Sequence, residues 1–439
     1  MTLRSAFKNV GYVGAVQVIR MALSLLIGIQ VIRHLGPEAY GRLSIAMALA
    51  LVISMPTSVA PNVLVVRELA NRAAGERSNV IATALALRLA GAALHFVLAL
   101  VAIVLLAHDA DIGDAVVLIA AGSFASAFAV TGAALELDGR FDTLSGISLA
   151  SVLFGVALRL ALVLADAGFI WFAAAMLLEA AGMAALNLAA YAGARQQLDP
   201  RRLDRPLAGL LLAESWPLAL SALMVALYSR TDVLCITYFL DAHAAGVYSV
   251  AIRLTECWFF IPASVSSVIY PTLIKRRRDG PAGFYDLLTM SCGAGFWTAV
   301  VMALGITIAT PFVLPALLGS AFDGSILPLQ ITAWSLVFLP LSYATASWLV
   351  IESMPRVNLY ATFVTALVNV AANVLLVPTV GLAGAAIALV ISHAIGCPLT
   401  LLIVGERQAT AALLRSMSPT TLVRLVGLCL EQVRRARPL

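Results

Sequence analysis

Four ionisable residues, Arg230, Asp232, Arg253 and Glu256, stand inside the otherwise lipid-like stretch LYSRTDVLCITYFLDAHAAGVYSVAIRLTE, residues 227–256. A guanidinium group can grip a phosphate or carboxylate through two parallel hydrogen bonds, and a carboxylate can neutralise it or take up a cation. Read as two helices turning near 241–245, the stretch sets Asp232 and Arg253 at about the same depth, roughly 12 Å from the turn at 1.5 Å per residue. Arg230 and Glu256 match in the same way, about 15–17 Å down. Arg253 and Glu256 are also i, i+3 neighbours on one helix face. Two readings are compatible with this spacing. The four groups form two ion pairs across the hairpin, or they line a water-filled cavity, which is where intramembrane charges usually face.

Other ionisable residues fall in comparable places. Arg20 and Arg88 lie seven or eight residues from one membrane surface, near enough to snorkel to lipid phosphate or to enter a cavity. Arg159 lies deeper, and Glu179 on the next span is its nearest candidate partner. Arg67 and Glu68 sit at the inner end of the second span and are candidates for an inner gate. Asn369 and Asn373, four apart, are suited to interhelical hydrogen bonding. His95 and His393 have no ligand partner in helical register. The five cysteines are scattered without metal or disulfide spacing.

The elements that carry these groups are membrane spans. Of 439 residues, 62% are hydrophobic and 12% charged, far from the soluble averages of about 45–50% and about 25%. Apolar runs long enough to cross roughly 30 Å of hydrocarbon recur along the chain without strict alternation, which predicts helices rather than a barrel. Twelve spans are expected, near 12–33, 43–66, 80–107, 115–135, 143–165, 168–192, 209–239, 245–273, 287–317, 327–351, 358–377 and 381–404. The basic start MTLRSAFKNV leads into a run too long for a signal peptide and without a clear cleavage site, so it is read as the first span.

Of the 28 Lys and Arg residues, 21 fall in alternate connectors and the two tails, two (Arg33 and Arg42) flank the first opposite turn, and five are within spans. This asymmetry predicts both termini in the cytoplasm. The segment ARQQLDPRRLDRPLA divides the chain into residues 1–193, a basic linker 194–208, residues 209–404 and a basic tail 405–439. In the tail, Ser418–Pro419 opens a helix on which Leu422, Leu425, Val426 and Cys429 alternate with Arg424, Glu431 and Arg434, a pattern suited to anionic lipid.

The two sets of six spans echo one another. HLGPEAYGRLSIA (34–46) meets FLDAHAAGVYSVA (239–251) at an offset of 205, aligning Gly41 with Gly246 and Ser44 with Ser249. AGFIWFAAA (167–175) meets VGLAGAAIA (380–388) more weakly. Six spans per half keep both halves in the same orientation, the pattern of transporters whose site lies at the repeat interface.

VIRHLGPEAYGRLSIA with VVRELANR (65–72), DVLCITYFLDAHAAGVYSVAIRLTE with VIYPTL (268–273), and VNVAANVLLVPTVGLAGAAIALVIS (368–392) resemble the signatures of Wzx-type polysaccharide flippases. These belong to the multidrug/oligosaccharidyl-lipid/polysaccharide exporter superfamily. The resemblance implies an all-α, MATE-like protein of two six-helix lobes around a central cavity in the bacterial inner membrane. It implies alternating access carrying polyprenyl-diphosphate-linked oligosaccharide from the inner to the outer leaflet for O-antigen, capsule or exopolysaccharide. Membrane lipids, a polysaccharide polymerase and export machinery would be its partners, and nucleic acid would not. Under this reading Arg230 and Arg253, then Arg20 and Arg159, meet the anionic headgroup, while Asp232 and Glu256 tune them or couple to a cation. No cofactor or metal is expected, and coupling to H+, Na+ or the membrane potential is left open. A cation-coupled drug exporter of the same superfamily is the alternative, although five in-span arginines suit an anionic cargo better. A membrane polymerase is more remote: there is no P-loop, no metal spacing and no large outer loop, so no enzyme is expected.

Overall fold

The computed structural model describes residues 3–106, 109–193, 203–352, 354–425 and 427. In lipid the backbone has no water to bond, so each apolar run satisfies its own N–H and C=O groups as a helix. The helices are α1 (Leu3–Ser54), α2 (Asn62–Asn71), α3 (Arg77–Leu106), α4 (Ala110–Ala127), α5 (Gly132–Leu137), α6 (Phe141–Leu164), α7 (Phe169–Gly193) and α8 (Arg205–Phe239). They continue as α9 (Ala242–Glu256), α10 (Phe260–Asp279), α11 (Pro281–Leu318), α12 (Ile326–Ala333), α13 (Leu339–Ile351), α14 (Pro355–Val380), α15 (Leu382–Val404) and α16 (Arg407–Ser416). No strand occurs among the described residues.

Among the described residues eleven helical segments are long and apolar enough to cross a membrane, and the chain is a multi-pass membrane protein. The first, Val18–Asn71, has 54 residues. At 1.5 Å per residue it is about 80 Å long, more than twice the hydrocarbon thickness. It turns at Gly36, whose φ of 68° is open to glycine, followed by Pro37, and so supplies two of the twelve expected crossings.

The chain forms two compact units: Met1–Ala226 with Ala242–Gly246, and Leu227–Asp241 with Val247–Leu439. In the first, α4 packs on α7 and α3, and α1 on α6. Its core gathers Val65, Leu69, Val80, Ile81, Leu207 and Leu211. In the second, α14 pairs with α15, and α11 packs on α10 and α16 around Phe284, Leu288, Trp348 and Leu413. The start of the tail, ahead of the lipid-surface helix expected from Ser418, packs into this unit. Ala409, Ala412 and Leu413 of α16 are buried against α11, and the Ala412 carbonyl accepts a bond from Thr289 Oγ1 at 3.2 Å. A helix does restart at Pro419, with Ser418 Oγ accepting from the Thr420 N–H. Val426, Cys429, Glu431, Arg434 and most of the linker (194–202) lie outside the described residues.

The internal repeat is visible in the helices. The α9 start crosses α1 backbone to backbone: a Cβ on Gly41 would overlap the Ala242 carbonyl oxygen and lie 2.9 Å from the Gly246 nitrogen. Reciprocally, a Cβ on Gly246 would overlap the Pro37 carbonyl oxygen and lie 2.9 Å from the Gly41 nitrogen. Residues 37 and 242, like 41 and 246, are 205 apart, so the contact maps onto itself. The second span breaks at 55–61 and the eighth at 257–259. The fourth and tenth spans tighten into 3₁₀ turns at Phe128–Thr131 and Trp334–Phe338.

Candidate functional site

The α8–α9 hairpin places the four charges of 227–256 in one unit. Arg230 Nη1 lies 3.2 Å from Glu256 Oε1, and both side chains are partly accessible. Matched depth therefore yields one of the two expected pairs. Asp232 and Arg253 do not pair. Asp232 is buried and accepts from Tyr248 Oη at 2.7 Å through Oδ2 and from the Val233 N–H at 2.8 Å through Oδ1. Arg253 is exposed and has no ion-pair partner among the described residues. The reason is azimuth. Tyr248 and Arg253 are five residues apart, about 140° around a helix, so the face of α9 that meets Asp232 turns Arg253 away. Sequence reasoning missed Tyr248, although a phenol in an apolar helix opposite a carboxylate is a signal that could have found it.

The first unit neutralises its charges locally. Arg159 Nη2 bonds Glu179 Oε2 at 2.6 Å, the expected partner, and Gly155 makes room, since a Cβ there would lie 2.7 Å from the Glu179 carboxyl carbon. Arg67 bonds Glu68 at 3.0 Å and also Glu214 on α8, tying α2 to the start of the seventh span. Nearby Arg72 Nη1 reaches Asp204 Oδ2 at 2.6 Å. The Leu207 N–H and then the Arg72 guanidinium hold the Asp204 carboxyl below the usual carboxylate range. Arg20 is half-buried on α1.

Arg88 does not snorkel. Its Nε and Nη2 donate to the Ala60 carbonyl at 3.0 and 2.8 Å, and Nη2 also donates to Asn62 Oδ1 at 2.8 Å. Ala60, with φ of 49°, sits in the break of the second span, and its N–H donates to Ser215 Oγ at 2.9 Å. Irregular backbone at membrane depth needs such partners. Pro56 and Pro61 flanking the break were the sequence signal for it. His95 is similarly structural, with Nε2 3.1 Å from the Ala50 carbonyl. Asn369 donates to Ser392 Oγ across α14 and α15 at 3.0 Å. Among the described residues no group of three His, Cys, Asp or Glu could hold a metal ion.

The helix order and broken spans define a transporter-type membrane fold. A structure of the lipid II flippase MurJ in an inward closed conformation matches 96% of this chain and 92% of that one, with a TM-score of 0.73 at 13% identity. An inward-facing MATE-family multidrug resistance transporter of the MOP superfamily matches 89% and 95%, with a TM-score of 0.68 at 17% identity. The chain belongs to the family described as polysaccharide biosynthesis protein, whose model matches residues 31–327. Two curated relatives come from Haloferax volcanii. They are the probable flippase AglR, 26% identical over 190 residues, and the probable low-salt glycan biosynthesis flippase Agl15, 24% identical over 169. Each match covers 38% of this chain and 36% of the relative, so the chain spans about a third of the length of the curated relatives it matches. The curated relatives are named as probable flippases, and the matching structures are those of a flippase and a transporter.

Proposed function

We propose that this chain is a flippase for polyprenyl-diphosphate-linked oligosaccharides, moving the repeat units of a surface polysaccharide from the inner to the outer leaflet by alternating access. The observation that carries the reading is Arg253, an exposed in-span arginine without an ion-pair partner among the described residues, beside a neutral Arg230–Glu256 pair. A lone in-span guanidinium favours an anionic ligand, and the diphosphate linkage is one. Family membership and the flippase relatives support the same cargo class. Arg230 and Glu256 hold the two hairpin helices at a fixed separation, so that Arg253 meets the headgroup from a rigid wall. The glycan crosses with the diphosphate while the polyprenyl tail stays in an apolar environment.

Export of cationic drugs fits less well. Glu256, Glu179, Glu214 and Glu68 are occupied by arginines, and Asp232 is buried against Tyr248. The test is reconstitution into proteoliposomes with a fluorescent polyprenyl-diphosphate oligosaccharide and, separately, a lipophilic cationic dye. Inversion of the oligosaccharide without dye transport is expected. Dye transport without oligosaccharide inversion would replace the reading with drug export.

A further inference from the structure

Small side chains along α10, α11 and α13 leave two adjoining hollows. They share Pro262, Val265, Gly295 and Pro340 and so make one furrow, with Trp258 at one end and Leu273 at the other. Fifteen residues separate those ends, about 22 Å along the helix. The floor is closely drawn: a Cβ on Gly295 would lie 2.8 Å from Pro340 Cβ. Just beyond Leu273 the chain reads Lys275-Arg276-Arg277-Arg278. Arg277 is engaged, its Nε 2.8 Å and Nη2 3.0 Å from the two Glu352 carboxylate oxygens and its guanidinium over the Phe284 ring. The Glu352 bond raises the Arg277 pKa, so it stays a cation and a fixed part of the wall. Lys275, Arg276 and Arg278 are exposed and make no ion pair among the described residues.

The geometry points to a docking furrow for the polyprenyl tail of the lipid-linked cargo, with its diphosphate held at the mouth by Lys275, Arg276 and Arg278. This rests on the flippase reading above and adds where the lipid part sits before transfer. An apolar channel running up from a cationic mouth matches a lipid lying in the inner leaflet with its head at the surface. Three free cations suit a diphosphate better than the single charge of a phosphodiester lipid. At its deep end the furrow reaches Trp258, two residues beyond Glu256 and five beyond Arg253, and so leads toward the exposed arginine.

A diazirine amino acid would be placed at Val265 in the furrow and, as a control, at exposed Phe312 of α11, in the full-length protein in phosphatidylethanolamine–phosphatidylglycerol vesicles. The probe is a radiolabelled polyprenyl diphosphate bearing no glycan. Val265 should be labelled about tenfold more than Phe312, and the triple change Lys275→Gln, Arg276→Gln, Arg278→Gln should cut that labelling by about tenfold. Ser266→Phe, which fills the furrow and leaves its mouth intact, should also abolish it. Unlabelled probe should compete and excess phosphatidylglycerol should not. Equal labelling at the two positions, or competition by phosphatidylglycerol, would overturn the proposal and assign the furrow to bulk lipid. Labelling needs no transport, so oligosaccharide inversion with indiscriminate labelling would refute the furrow alone. Saturable labelling without inversion would refute the flippase reading alone.

Discussion

The second and eighth spans begin from the same frame and end differently. Both start at the reciprocal crossing of Gly41 and Gly246, run on as helices and break, at 55–61 and at 257–259. In the second span the break is filled. Arg88 and Ser215 satisfy the Ala60 carbonyl and N–H, and α3 approaches so closely that Gly91 has no room for a side chain beside the Thr57 carbonyl. In the eighth span the break leaves Trp258 exposed at the head of a furrow, with Arg253 one turn before it. A duplicated helix pair can thus keep its crossing while one copy closes its break with polar side chains and the other leaves Arg253 exposed and without an ion pair among the described residues. Charge alone does not distinguish the two roles; the partner does.

The sharpest way to break the comparison is at its shared frame. Gly41→Ala and Gly246→Ala should each cost about 3 kcal/mol or more, because the new methyl meets backbone that cannot turn aside. Thermal unfolding in detergent, with Gly28→Ala as a control in open space, would show it. Unequal costs at 41 and 246 would mean that the crossing is not the symmetric element described. Arg88→Leu should come next. It strands the Ala60 carbonyl and should cost about 2–3 kcal/mol, lowering folded yield, whereas transport per folded molecule stays near the unaltered level. Loss of specific transport at full stability would place Arg88 in the cargo path instead.

The smallest effect concerns the Arg72–Asp204 link. Because the Asp204 pKa is depressed on folding, its contribution is fully present above the unfolded value of about 3.9 and is lost as pH falls through the lower folded value. Asp204→Asn should therefore lower the melting temperature slightly at pH 7, and the difference should shrink as the pH falls below the unfolded value. A difference that grew on acidification would reverse the assignment.

Much of this was legible in the sequence, for physical reasons that differ by feature. The spans follow from hydropathy, and the break between the first two from Gly36-Pro37. The Arg230–Glu256 and Arg159–Glu179 pairs follow from depth and spacing. Depth says nothing about azimuth, so the expected Asp232–Arg253 pair gave way to Asp232–Tyr248. For Arg88 snorkelling and a cavity were both open, and its actual partner was hidden because it is a carbonyl, and carbonyls are freed only where a helix stops. The packing of α16 was hidden because Ala409, Ala412 and Leu413 lie among polar residues such as Arg407 and Gln408, in a segment that does not look like core.

The most direct test compares Arg253→Gln with Arg159→Gln in proteoliposomes, scoring inversion of polyprenyl-diphosphate oligosaccharide per folded molecule. Removing one charge-assisted phosphate contact should slow Arg253→Gln by about 10–100-fold at unchanged stability. Arg159→Gln should lose stability and keep its specific rate. Full transport by Arg253→Gln at normal folded yield would contradict the claim that the open half of the repeat carries the anionic cargo.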